Sequence, residues 1–323
     1  MAYMRYYRSL LNEKEKEAYD TLVEAIARRK ESIRVKPLTN QELRRVHAAV
    51  DRDYPDFFYV NFYNTYSCST SRYTDVQIQY TMDVYEAKRI KNEIDKKAIK
   101  IVDGARGLSE LETEAYLNDE IRKMAVYADS QDNFNVQHLM GVFLDGKCVC
   151  EGYAKAFKYL ADMLELKSII VLGNGGLEGD TEPHAWNIVR IDGENYHLDV
   201  TFNSVERDKR TNKIIHFSRA YFNLSDKEIC RDHTVDTMFK VPSCPKSRSE
   251  VAIISSTSQL MNHLRQESKK NKRFTEMRFT KHFDTIDEVS KMIEDNLTPL
   301  DYGWYRKIVT FFASYYSFTI EWQ

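Results

Sequence analysis

Along the first third of the chain, apolar and polar positions alternate between two periods. Ala18, Tyr19, Leu22, Val23 and Ile26 recur at the spacing of one helix face,. Asn12 with Glu15 in front of them is an N-terminal capping pair, and Thr39 with Glu42 repeats it, with Leu38 placed to staple the second helix,. FFYVNFY (57–63) and DVQIQYTM (75–82) then predict strands, the second by clear alternation, before charged helices over about 84–100 and 108–127,.

In the middle third, Tyr153, Ala154, Phe157, Leu160, Ala161 and Leu164 form one helical face directly after the segment GKCVCEG (146–152),. KSIIVLG (167–173) reads as a strand, and the Gly- and acid-rich NGGLEGDTEP (174–183) as a loop,. HAWNIVRI (184–191) and NYHLDVTF (195–202) alternate strictly around Asp192-Gly193, a strong hairpin signal,. Beyond VPSCPKSRSE (241–250) the pattern predicts helices near 256–270 and 284–296 and strands at RFTEMRFT (273–280) and YYSFTIEW (315–322),. The fold class expected is α+β, in three consecutive parts: an accessory domain over 1–105, a central domain over 106–245 and a small α/β domain over 246–323.

Composition narrows the function. With 323 residues, 42% hydrophobic and 30% charged, the chain is of globular type,. A formal net charge of -2 argues against nucleic acid or an anionic membrane as a general partner,. No apolar run reaches the roughly 20 residues of a membrane span,. The first twenty residues lack the apolar stretch of a secretory signal, so a cytoplasmic location is expected,.

Five cysteines in no disulfide framework and without a CxxC pair suit a reducing setting; neither metal nor cofactor is expected,. Cys148 and Cys150 lie two residues apart at the start of a helix. Both are open to a plain reading as small buried core residues. Cys150, however, falls where unpaired N–H groups and the helix dipole favour a thiolate, and Cys148 falls before them,.

A thiol nucleophile needs a base and a group to orient it. Across a two-residue Asp192-Gly193 turn, His184 faces Thr201 and Asp199 is its diagonal neighbour on the same side, within reach of imidazole and carboxylate,. A four-residue loop would pull them apart. His197 shares a face with Asp199 and is a rival base; a structural His–Asp pair is the alternative to a catalytic one. The backbone N–H of Cys150 suits an oxyanion; Gln137 upstream reads first as a surface or helix-face glutamine and second as the other donor,.

These segments resemble the transglutaminase-like superfamily of papain-fold enzymes. The likeness lies in Cys150-Glu-Gly152-Tyr153-Ala154, His184-Ala-Trp186-Asn187 and Asp199-Val-Thr201-Phe202, in that order, with separations of 34 and 15 residues, and it covers about 106–240. The resemblance implies a helix bearing the nucleophile Cys150, packed on an antiparallel sheet bearing His184 and Asp199. It implies an acyl-enzyme step on a peptide or protein substrate. Amide hydrolysis by a peptidase or deamidase leads, since neither a calcium site of large cross-linking enzymes nor paired zinc cysteines is visible. Acyl transfer to an amine and a non-catalytic binding module are the alternatives.

Weaker signals carry two readings each. Trp186, Gly152 and Tyr153 would wall a cleft or pack in the core. Glu178, Asp180 and Glu182 would attract a cationic group or sit in solvent. The basic cluster Lys269, Lys270, Lys272, Arg273, Arg278 and Lys281 would meet an acidic partner or form a solvated face, and His233 reads as structural with no visible partner,.

Overall fold

The structure is a computed structural model describing residues 5–63, 66–128, 133–177, 180–203, 205–208, 210–211, 213–270, 272–280, 288, 291–292, 295, 305–309 and 317–322. Helix and sheet are mixed, as the pattern predicts. The helices Glu13–Ala27 and Asn40–Asp53 start at the two expected capping boxes, and a third box, Ser109 with Glu112, starts Glu110–Met124. Each satisfies two of the backbone donors a helix start leaves unpaired. The remaining long helices are Val84–Gly104, Cys150–Met163 and Thr257–Glu267.

Three sheets organise most of the strands. A three-stranded antiparallel sheet orders Ser32–Val35, Thr74–Gln77 and Tyr66–Ser69. A four-stranded sheet orders His233–Val235, Ser168–Leu177, Asp180–Ile191 and Glu194–Leu198. The third orders Ala252–Ile254, Phe274–Phe279, Ser317–Trp322 and Tyr305–Val309, the first pair parallel, around a core of Ile254, Leu260, Leu264, Met277, Phe279, Phe318 and Ile320.

The chain separates into two compact units whose segments interleave. One holds Met1–Leu172, Ala185–Asn195 and Val235–Ser243; the other holds Gly173–His184, Tyr196–Thr234 and Cys244–Gln323. The expected cut at 105/106 falls inside the first unit, because its N-terminal helices pack on later segments. Tyr7 donates its hydroxyl to the Ile170 carbonyl, and Lys155 reaches Asp51 at 2.9 Å.

Several local expectations change. FFYVNFY is a series of turns with one isolated antiparallel bridge, Val60 to Tyr80, in place of a continuous strand: Phe57 N–H bonds Tyr54 O and Val60 N–H bonds Phe57 O, and Phe57 stacks on Tyr54. Its apolar run serves packing, with Phe58 fully buried. The segment read as a loop over 174–183 is strand through Leu177 and again from Asp180. The second hairpin strand stops at Leu198 instead of 202. The turn itself is the two residues Asp192 and Gly193, both with positive φ (50° and 87°), which matches the twist of the flanking strands,. Most of the helix expected near 284–296 lies outside the described residues.

The first unit carries a buried titration pair of opposite sign. Burial lowers the pKa of His47, on the helix Asn40–Asp53, to about 4. Burial raises Asp53 to about 6, against the hydrogen bonds it accepts from the Arg8 and Tyr7 N–H groups. Between pH 6.5 and 4 the unfolded state therefore takes up the His47 proton first, and that stability is lost as pH falls. Asp53 protonates first in the folded state and offsets part of the loss. Substituting His47→Phe isolates one contribution. Denaturant unfolding of the variant should lose about 2 kcal/mol less than the parent between pH 7 and 4.5; equal losses would show that His47 is not buried neutral.

Candidate active site

The thiol side is built by a helix that is buried nearly all round. Cys150 is the first residue of Cys150–Met163, after Val149, which offers no side-chain cap. The first-turn N–H groups are thus left for another acceptor. From Gly152 to Ala161 every residue is buried, which goes beyond the single apolar face expected. Two lysines inside it are satisfied by carboxylates. Lys155 bonds Asp51 and Glu151 at 2.9 and 2.8 Å, and Lys158 pairs with Asp162. Burial works against the Lys155 charge, but Asp51 and Glu151 outweigh it and hold the ammonium charged.

The two neighbouring thiols differ. Cys148 is fully buried, and burial pushes its pKa far above the usual thiol range. Cys150 packs with Ala154, Ile170, Leu172 and Ala185. Ala185 is the residue that follows His184. The same strand is stitched to this helix by Asn187, a wholly buried side chain whose amide donates to the carbonyls of Ala154 (3.1 Å) and Ile169 (3.2 Å). In the sequence Asn187 stands out only within His184-Ala-Trp186-Asn187, where its spacing from His184 is the available signal.

His184, Asp199 and His233 belong to the second unit. His184 Nε2 is 2.7 Å from Asp199 Oδ2. Asp199 ends its strand because its other oxygen accepts the N–H groups of Thr201 (2.8 Å) and Phe202 (3.1 Å), and its carbonyl accepts the Asn203 N–H,. Burial raises the cost of the Asp199 charge. The His184 imidazolium and the hydrogen bonds from His184 and His233 outweigh that cost and hold the carboxyl well below the usual range,. Gly175 lies against the ring: a Cβ there would stand 2.9 Å from His184 Cγ and Cδ2.

His233 was not legible as part of this group. Its Nε2 is 3.0 Å from the same Asp199 oxygen, and its Nδ1 is 2.6 Å from Asp232 Oδ1. The adjacent Asp232-His233 was the signal in the sequence. His197, the rival base, turns instead to Asp226 at 3.0 Å, and Asp226 also accepts the Cys244 N–H. Among the described residues, His184/Asp199/His233 and His197/Asp226/Cys244 each bring three potential ligand atoms within 4.8 Å of one another. In the first group the donor atoms bond one another; in the second, Asp226 accepts from both neighbours.

Other candidates are placed as follows. Trp186 and Tyr153 lie in the core, with the Tyr153 hydroxyl bonded to Ala125 O, so neither presents a wall. Gly152 faces backbone instead of a cleft: a Cβ there would meet Val136 O at 2.5 Å and Cys148 Cβ at 2.8 Å. Glu178 and the Asp180 side chain lie outside the described residues, and Glu182 is exposed. In the basic cluster, Arg278 is buried against Glu228, Arg273 pairs with Glu321, and Lys270 and Lys272 pair with Glu267; Lys281 is outside the described residues. Among the described residues no helix is long and apolar enough to cross a membrane.

No protein-family model and no curated protein matches this chain. Among solved structures it is similar to a TGase, at 15% identity and a TM-score of 0.30, over 56% of this chain and 54% of that one. It is similar to a candidate cysteine protease from Cytophaga hutchinsonii (13% identity, TM-score 0.29, 43% and 61% covered). A third is the periplasmic domain of TgpA from Pseudomonas aeruginosa (13%, 0.27, 40% and 53%). These neighbours are transglutaminase-like proteins. The chain spans about half to three fifths of their lengths.

The two glycines make separable predictions. Gly152→Ala forces backbone apart and should cost about 1–3 kcal/mol of stability. Gly175→Ala, whose backbone has no positive φ, should leave unfolding nearly unchanged and displace the His184 ring. The imidazole proton shared with Asp199, assigned by its absence in His184→Ala, should vanish from the low-field NMR spectrum. Its survival would mean that the ring has room.

Proposed function

We propose that the chain is a cysteine-dependent amide hydrolase of transglutaminase-like type, with Cys150 as nucleophile, His184 as base and acid, and Asp199 as the group that orients His184. What supports the reading is one juxtaposition: the His184 strand is tied to the Cys150 helix by Asn187 and packs Ala185 on Cys150. With Nε2 of His184 committed to Asp199, Nδ1 is the nitrogen the reading assigns to the sulfur,.

The chemistry runs in two halves. The Cys150 thiolate attacks the acyl carbon, forming a C–S bond as the carbonyl electrons move to oxygen. The imidazolium gives its proton to the departing amine, and the C–N bond breaks to leave a thioester. His184 then takes a proton from water, hydroxide adds to the thioester, and the thiolate leaves with a carboxylic acid product. The Cys150 N–H at the helix start serves the oxyanion.

Iodoacetamide labelling, resolved by site with mass spectrometry, tests the pair. At pH 6 Cys150 should react ahead of the other four thiols, and His184→Ala should slow it about 100-fold. Slow labelling of Cys150 that is indifferent to His184 would overturn the reading. On reactive glutamine peptides, release of ammonia without uptake of a labelled amine is the expected outcome, and amine incorporation would assign acyl transfer instead.

A further inference from the structure

We propose that His233 is a positioning residue for the Asp199–His184 pair, so that the site is a relay of four groups, Asp232, His233, Asp199 and His184. The inference rests on the assignment of His184 and Asp199 above.

His233 opens the strand His233–Val235 and is wholly buried. Its two ring nitrogens face two different carboxylates, Asp199 Oδ2 at 3.0 Å and Asp232 Oδ1 at 2.6 Å. Carboxylates only accept hydrogen bonds. A neutral imidazole would therefore aim one lone pair at an anion, whereas an imidazolium donates to both. The surroundings favour the charged form: burial opposes it, and the hydrogen bonds to Asp199 and Asp232 prevail, raising His233 above its ordinary value. Asp232 is itself held by the Tyr221 hydroxyl on Oδ2 at 2.5 Å, and its carbonyl by the Gly176 N–H at 2.9 Å.

The groups around His233 are Asp199 from the turn, Asp232 from its own segment, Tyr221, and the imidazoles of His184 and His197. The rings of Phe202 and Tyr221 close the cage, with centroids 5.0 and 5.8 Å from His233.

Two consequences follow. His233 fixes the oxygen of Asp199 that His184 needs. It also places a second positive charge 5.2 Å from the His184 ring, on the same carboxylate oxygen. Asp199 alone would bind the His184 proton tightly; shared between two cations, it binds it less, so His184 gives up its proton at a lower pH. A merely structural His233 would hold the fold together and leave that titration where it is.

The test is a histidine 15N NMR titration of the full chain, from pH 5 to 10, with His184→Ala for assignment. In the parent, His233 should stay doubly protonated above the pH at which an ordinary imidazole loses its proton,. In His233→Gln, which keeps one donor and loses the charge, the His184 midpoint should rise by about one pH unit. An unchanged midpoint in a folded variant would overturn the inference, and so would a parent His233 neutral at pH 7, a reading that needs no variant to fold. Cys150 alkylation measured on the same parent reports separately on the proposed function. Loss of its His184 dependence would sink that reading while the titration still decides the role of His233.

Discussion

A carboxylate without solvent persists only where donors surround it, and much of the candidate site follows from how Asp199 meets that condition. Two of its donors are local, the N–H groups of Thr201 and Phe202 on one oxygen. They bend the chain and end the strand. The other two are the imidazoles of His184 and His233 on the second oxygen, brought by two other strands of one sheet. Removing either histidine leaves the anion short of a donor, which is why the two rings and the turn belong to one arrangement.

The thiol is held by different physics. Its helix is placed by apolar burial on nearly every side, and its lysines are tolerated only because carboxylates meet them inside. Close backbone approach sets the helix start, with Val136 O occupying the space a side chain at Gly152 would need. Asn187 then links helix and strand by donating its amide to the carbonyls of Ala154 and Ile169. Packing thus fixes the position of the sulfur, and charged hydrogen bonds fix the orientation of the imidazole.

How much of this the sequence disclosed depends on the range of the interaction. The capping boxes and the Asp192-Gly193 turn were legible because each is settled within four residues. The His184–Asp199 contact was legible through the turn, since a two-residue connection leaves little freedom in the pairing. FFYVNFY misled because a continuous apolar run has no period, and stacking of Tyr54 on Phe57 suits a turn as well as a strand,. His233 was hidden because it meets Asp199 from 34 residues away, and the one local mark, Asp232 beside it, does not point to Asp199. The pairing of Lys155 with Asp51, 104 residues apart, was hidden for the same reason.

The segment 174–177 shows most clearly where composition and structure part. Its glycines read as part of a loop,. In place they are strand, and each answers a geometric demand. Gly175 has no side chain because the His184 ring occupies that space. Gly176, at φ 129°, takes a backbone conformation closed to most side chains and gives its N–H to the carbonyl of Asp232, the residue that holds His233,. One bare stretch of strand therefore seats both imidazoles that converge on Asp199. A glycine pair before a strand histidine signals in this chain a surface that rings must approach closely, and the absence of side chains there is a condition of rigidity.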